Sequence, residues 1–323
     1  MQAQVAGRYQ LLREIGRGQS RVVFAARDTS LARDVAFKTL REGSRRDALA
    51  REFALLYRLD QPHLPRVYDI GVLAGEIEGS PHGAPFLVEE LCEGVSAALW
   101  AAGKNAAPIA WLGAQVAAAL AALHAHGVCH RDVKPEHIVL VGDPPGVKLV
   151  DFDLAVLAGA DTVSGTLRYM APEALAGRAG AASDIYSLAA TLVELVTGAP
   201  PARHHGAQLW CEPLGDAVAA MSHPDPERRA TAAQAFEMLA AQCSPADRHS
   251  LTALKDRSSL AAGLHGRERQ LALIDEMLDP GRRGSRVLRM SGPPGMGKTA
   301  LLREAVARAV ARGFAVPGLV RPA

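Results

Sequence analysis

The sequence has little that would tie it to an oxidising compartment. Its four cysteines, Cys92, Cys129, Cys211 and Cys243, are scattered and show no Cys-x-x-Cys spacing. That pattern excludes a disulfide frame or a zinc site and suits reduced thiols in a cytosol. No apolar stretch opens the chain, since Met1-Gln-Ala-Gln-Val-Ala-Gly-Arg8 has nothing of a signal peptide. Nor does either sign of charge dominate: 36 lysines and arginines against 34 acids leave +2. So even a balance gives no reason to expect nucleic acid or an anionic membrane as a partner. Beyond a general richness in alanine there is no internal repeat and no low-complexity segment. From Ala106 to Val128 there is no acid, lysine or arginine, which is nominally long enough to span a bilayer. The stretch is mostly alanine and carries Gln115, His124 and His126, so it reads as a packed helix of a soluble, cytoplasmic protein with no membrane contact.

The length of 323 residues leads one to expect two units, the second expected to be incomplete. Hydrophobic content of 49% supports a sizeable core. Residues 9–40 alternate apolar and polar with glycine breaks, predicting three strands. Arg45 to Leu59 has helical period, with Leu49, Phe53, Leu56 and Leu59 on one face. Two more strand-like runs follow, Arg66 to Val72 and Pro85 to Leu91. Past Gly94 the pattern is helical, apart from a hairpin of Ile138–Val141 and Val147–Val150. The helical pattern ends near Cys243, and a polar link from Ser244 leads to a new unit at Gly263.

The chemistry concentrates in His130-Arg131-Asp132-Val133-Lys134-Pro135, followed nineteen residues after Asp132 by Asp151-Phe152. One carboxylate sits on a tight loop beside a lysine, and a second closes the hairpin. Phosphoryl transfer needs that set: an acid to orient the hydroxyl, an acid to hold a metal on the nucleotide phosphates, and a nearby cation. Upstream, Gly16-Arg-Gly18 lies at a strand turn, where backbone amides can approach phosphate; a plain hairpin turn is the commoner reading of such a pair. Lys38, in Val35-Ala-Phe-Lys38, is placed in a strand, and Glu52 on the following helix can pair with it.

Over residues 9–243 these motifs resemble the eukaryotic-type protein kinases, specifically their bacterial serine/threonine branch. The resemblance implies an α+β, two-lobed fold, with a small lobe of about 9–91 and a large lobe of about 92–243. It implies ATP, magnesium or manganese, and protein substrates carrying serine or threonine. Asp132 matches the catalytic base, Lys134 the lysine that neutralises the transferred phosphate, and Asp151 the metal-binding aspartate. Lys38 and Glu52 match the phosphate-holding pair. Val88 falls at the gatekeeper position, with the backbones of Glu89 and Leu91 meeting the adenine edge. Val23 and Ala36 cover the base from above and Val139 from below, and Gly16 and Gly18 lie over the phosphates. Gly165-Thr166 and Tyr169-Met-Ala-Pro-Glu173 resemble the end of the activation segment. Ser183-Asp184 resembles the start of the central large-lobe helix, and Arg229 the partner of Glu173. Arg131 is expected to receive a phosphate, with Thr162 and Ser164 as candidate phosphosites.

The pattern breaks in three places. Arg21 replaces the third loop glycine, putting a side chain at the loop tip. His137 stands where an asparagine binds a second metal, and imidazole is a poor ligand for magnesium. Asp153 replaces the glycine after Asp151-Phe152, removing backbone freedom and adding a carboxylate. Two outcomes follow: an enzyme in which Asp153 partly replaces the lost ligand, or a pseudokinase that binds nucleotide as a regulatory module.

The second unit opens with Gly266-Arg-Glu, which is similar to the opening of AAA-type and signal-transducing ATPases. Arg286–Ser291 is predicted as a strand, Gly292-Pro-Pro-Gly-Met-Gly297-Lys298-Thr299 as a phosphate loop, and Ala300–Arg312 as a helix. Lys298 is expected to reach the β- and γ-phosphates and Thr299 to take magnesium, with Gly292 and Gly297 shaping the loop. About sixty residues are too few to close a P-loop sheet, so 263–323 is expected to be the front of an α/β ATPase domain in a longer chain, after a linker at 244–262.

Overall fold

The computed structural model describes the chain outside residues 1–3, 19, 45–46, 60, 153–155, 158–164, 200–208, 210, 213, 252–265, 280, 282–283, 285–286, 292, 294–295 and 315–323. Two compact units result: residues 1–60, 65–91 and 262–323 form one, and residues 61–64 and 92–261 the other. The architecture is α+β, with one strand-rich and one helical part.

The first unit is built on a six-stranded antiparallel sheet. Its strands are β1 (Gln4–Val5), β2 (Tyr9–Arg17), β3 (Arg21–Asp28), β4 (Arg33–Leu40), β5 (Val67–Val72) and β6 (Pro85–Glu90), in the order β1-β2-β3-β4-β6-β5. Side chains alternate between faces along each strand. Val22, Phe24 and Ala26 of β3, Val35 and Phe37 of β4, and Phe86 and Val88 of β6 therefore share one apolar cluster with Tyr9 and Leu11. The rings of Phe37 and Phe86 stack at 4.8 Å within it. The opposite face presents Val23, Ala25, Ala36, Lys38, Leu87 and Glu89. Helix α1 (Asp47–Arg58) packs on β5 and β6.

The same unit contains α8 (Glu268–Met277) and α9 (Lys298–Ala311), numbered to follow the seven helices of α1–α7. They pack through Ile274, Leu278, Leu301, Ala305 and Ala309. Ion pairs from Asp275 to Arg308 and to Arg312 add to that contact. The expected strand at 286–291 is not present among its described residues, 287–291, and Val287 is 90% exposed. A strand needs a neighbour to satisfy its backbone, and no paired strand of this segment exists among the described residues. Helix α9 also lies against α1, and Arg58 Nε pairs with Glu304 Oε2 at 2.8 Å.

The second unit is mostly helical. It contains α2 (Ala97–Ala101), α3 (Ala106–Ala125), α4 (Pro172–Leu175), α5 (Ala181–Thr197), α6 (Gly215–Met221) and α7 (Ala232–Ala240). Helix α3 is the one described helix long and apolar enough to cross a membrane, and it packs against α5 and α7. Small residues make that possible: a Cβ on Gly113 would come within 3.0 Å of Leu192 and 3.1 Å of Leu239. Three short strands, β7 (Gly94–Ser96), β9 (Ile138–Val141) and β10 (Gly146–Leu149), form a sheet in the order β10-β9-β7. A pair of two-residue strands, β8 (Val128–Cys129) and β11 (Val156–Leu157), brackets the catalytic loop.

Candidate active site

Two clusters of charged side chains carry the chemistry, one in each unit. In the first, Lys38 Nζ lies 3.0 Å from Glu52 Oε1, so the strand lysine and the helix glutamate do meet. Lys38 also lies 2.7 Å from Glu89 Oε1. Burial alone would lower the lysine's pKa, but the two carboxylates outweigh it and hold it above the ordinary value. Arg21 Nη1 reaches Glu52 Oε2 at 3.3 Å and is buried, so its side chain turns inward and is not exposed at a loop tip.

The expectation for Val88 is corrected here. Val88 belongs to the apolar cluster with Phe37 and Phe86, on the face away from Lys38. Glu89 is the residue whose side chain turns toward Lys38, opposite Ala36 in the register. A one-residue slip in a strand exchanges the two faces, which is how the sequence reading misplaced the position. The backbone of Glu89 lies within the sheet, in register with Ala36 and Val67. Leu91 lies just past the end of β6 and is half-buried. Val23 is half-buried and paired with Lys38, and Gly16 pairs with Val23. The turn at Gly18 is tied down where its amide donates to Arg21 O and its carbonyl accepts from Arg41 Nη1.

In the second unit, Asp132 is held by two residues. Its Oδ1 accepts from the Thr166 amide at 2.8 Å, and its Oδ2 accepts from Lys134 Nζ at 2.6 Å. Lys134 Nζ also donates to Thr166 Oγ1 at 2.9 Å. Burial pulls the Asp132 pKa up, yet the bonds from Lys134 and Thr166 prevail and keep the carboxyl below its usual range. His137 lies between the two acids. Its Nδ1 donates to the Asp132 carbonyl at 2.9 Å, and its Nε2 lies 3.2 Å from Asp151 Oδ2. Arg131 and Asp151 both adopt left-handed backbone, with φ of 69° and 66°, where strain is commonly stored at working sites. Val139 is half-buried on the face of β9 away from Ile138 and Leu140.

The loop is fastened by a residue whose role the sequence does not disclose. Asp184, buried in the first turn of α5, accepts from the amides of His130 and Arg131 at 2.8 Å each. It also meets His124 Nε2 at 2.8 Å. The signal was an acid in the first turn of a mostly apolar helix. Gly165, with φ of 118°, presses so close to Arg131 that a Cβ would stand 2.5 Å from its carbonyl oxygen. Further out, Arg229 Nη1 and Glu173 Oε1 pair at 2.6 Å.

The site suits one hard cation better than two. Asp151 offers carboxylate oxygen, while His137 puts imidazole nitrogen where a second oxygen ligand is expected. Among the described residues no group of three or more metal-ligating side chains occurs. Asp153, Thr162 and Ser164 lie outside the described residues.

In the C-terminal segment, Gly297 is left-handed at φ 72° and leads directly into α9, whose first two residues are Lys298 and Thr299. Lys298 Nζ donates to the Pro293 carbonyl at 2.6 Å, folded back over the loop. A hollow of about 330 Å³ beside it is lined in part by Arg267, Met290 and Lys298. Gly292 lies outside the described residues.

An aspartate fastened for hydroxyl chemistry and a strand lysine paired with a helix glutamate define a kinase. The chain matches the protein kinase domain over residues 9–256 and belongs to that family. Residues 263–321 match the AAA ATPase domain. Among similar proteins are the serine/threonine-protein kinases PknD and PknE of Mycobacterium tuberculosis, 39% and 36% identical over 61% and 63% of this chain. The probable serine/threonine-protein kinase PknB of Corynebacterium glutamicum is 34% identical over 61%. These matches cover 31%, 37% and 32% of the respective relatives, so the chain spans about a third of their length.

Proposed function

We propose that the chain is a cytoplasmic serine/threonine protein kinase that transfers the ATP γ-phosphate to protein hydroxyls and is coupled to an ATPase module. The observation that carries this reading is the fastening of Asp132. Thr166 and Lys134 hold its carboxylate ionised and oriented, as a residue that positions a hydroxyl and accepts its proton requires. Lys134, bonded to both Asp132 and Thr166, supplies positive charge beside the transferring group. Lys38, fixed by Glu52, holds the nucleotide phosphates. Magnesium or manganese held by Asp151 would neutralise phosphate charge. In the ATPase segment, Lys298 and Thr299 would serve a second nucleotide, with Lys298 released from Pro293 to reach its phosphates.

The test is transfer from γ-labelled ATP to protein substrates, with magnesium and with manganese, comparing wild type with Asp132→Asn. Loss of a general base typically costs about 10²–10⁴ in rate, and a drop of that order is expected. Equal labelling by both proteins with either metal would sink the enzyme reading. A regulatory pseudokinase is the second reading, favoured by the His137 bridge, which ties the two acids to each other. Nucleotide binding without transfer would establish it.

A further inference from the structure

Four ionisable side chains meet in the strand-rich part of the kinase: Arg21 from β3, Lys38 from β4, Glu52 from α1 and Glu89 from β6. All are nearly buried, between 4% and 6% exposed. Two cations face two carboxylates, so the cluster is neutral as it stands. Arg21 and Glu89 lie outside the lysine–glutamate pair that the kinase reading requires, and of these only Glu89 bonds Lys38.

Its geometry is informative. Glu89 Oε1 bonds Lys38 at 2.7 Å, closer than Glu52 at 3.0 Å. Glu89 Oε2 is buried and has no hydrogen-bond partner. A buried carboxylate is costly unless it is paired, and here its cation is the one a nucleotide phosphate would engage. Phosphate arriving at Lys38 brings negative charge close to Glu89 in a poorly solvated site, where like charges repel strongly. Glu52 is itself anionic, and Arg21, though it attracts Glu89, is paired with Glu52, so the repulsion is relieved only in part. The simplest relief is neutralisation of the carboxylate, and Oε2 is the oxygen left open to a proton.

We propose that Glu89 is a positioning residue for Lys38 that competes with the nucleotide phosphate, so that ATP binding to the kinase site draws one proton from solvent onto Glu89. Lys38 keeps its three protons and its bond to Glu52, and no other bond forms or breaks. Burial already pushes the Glu89 pKa upward against the pull of Lys38, which agrees with a carboxyl poised to accept. Because binding takes up a proton, wild-type affinity falls as pH rises, and it loses that dependence once Glu89 cannot titrate. The inference rests on the proposed kinase reading.

The experiment is calorimetric titration of magnesium-ATP into the full 323-residue chain carrying Lys298→Ala, which leaves the kinase site as the one read. Two buffers of different ionisation enthalpy give the protons taken up. Glu89→Gln is the matched variant, preserving shape and one acceptor for Lys38, and Glu89→Met removes the contact altogether. Expected are uptake approaching one proton in the parent, none in Glu89→Gln, and affinity about tenfold tighter in that variant at neutral pH. In turnover of Glu89→Gln, KM for ATP should fall more than kcat changes, and Glu89→Met, with Lys38 still on Glu52, should likewise show no proton uptake. Equal proton uptake and equal affinity in parent and Glu89→Gln would overturn the proposal. Absence of ATP binding in both would instead fell the kinase reading and this inference with it.

Discussion

His137 stands where the resemblance leads one to expect an asparagine, and its place is well defined. With Nδ1 on the Asp132 carbonyl and Nε2 beside Asp151, it fills the space of a metal ligand without offering hard oxygen. His137→Asn is therefore expected to lower the magnesium needed for half-maximal rate, by about tenfold, the lower end of what ligand-shell changes give. A metal titration of activity checks this, and an unchanged requirement would assign the histidine a role in joining the acids. The Glu173–Arg229 pair belongs to stability. Burial raises the Glu173 pKa, but Arg229 and Ser183 prevail and lower it. A carboxyl depressed in the folded state stabilises the protein above its unfolded pKa of about 4.3. That contribution is lost as pH falls through the folded pKa. Arg229→Ala should cost about 3–5 kcal/mol at neutral pH by stranding the carboxylate, and the penalty should shrink in acid, as melting curves at several pH values would show. The identities of Asp132, Lys134, Lys38, Glu52 and Asp151 were all legible in the sequence, because fixed spacing survives translation into one dimension. Glu89 and Arg21 were not, since which way a side chain turns depends on register and bulges. The register shift between Glu14 and Gly16 in the neighbouring strand pair illustrates the difficulty.

Among the elements, those with long periodic patterns were readable. Helix α1 runs Asp47–Arg58 against an expected 45–59, and α3 begins at Ala106 as the charge-free stretch suggested. The two-residue strands β8 and β11 and the three-residue β7 were not, because so short a run has no period. What creates them is pairing: Gly94 lets β7 approach β9 so closely that a Cβ would stand 1.9 Å from the Leu140 carbonyl oxygen. The strand predicted at 286–291 is absent from its described residues, 287–291, for the converse reason: a good local pattern with no paired strand among the described residues. The packing of α9 on α1 lies further still beyond a local reading. Ala307 of α9 is fully buried, and Val306 and Val310 are nearly so, outside the cluster shared with α8. Ala307→Glu should therefore loosen α9, raising hydrogen exchange over residues 298–311 and over α1 together. Arg58→Ala, which removes only a partly exposed ion pair, should cost no more than about 1 kcal/mol. Protection of α1 that is untouched by Ala307→Glu would contradict the packing.

At the scale of the molecule, the order of domains was plain from motifs alone, a kinase and then a phosphate loop. The compact units do not follow that order, for the segment from 262 onward joins strand-rich residues far back in the chain. Contacts between distant segments leave no mark in composition. Helix α9 starts at the lysine of the phosphate loop and runs about 21 Å. Along its side it meets α1, the helix that presents Glu52 to Lys38. The two lysines proposed to meet nucleotide phosphates are thus joined through a pair of packed helices. Binding at sites so joined obeys reciprocity: whatever factor a nucleotide at Lys298 imposes on affinity at Lys38, one at Lys38 must impose on Lys298. A single coupling free energy then governs both directions, and measuring either affinity with the other site filled fixes what the ATPase segment and the kinase can tell each other.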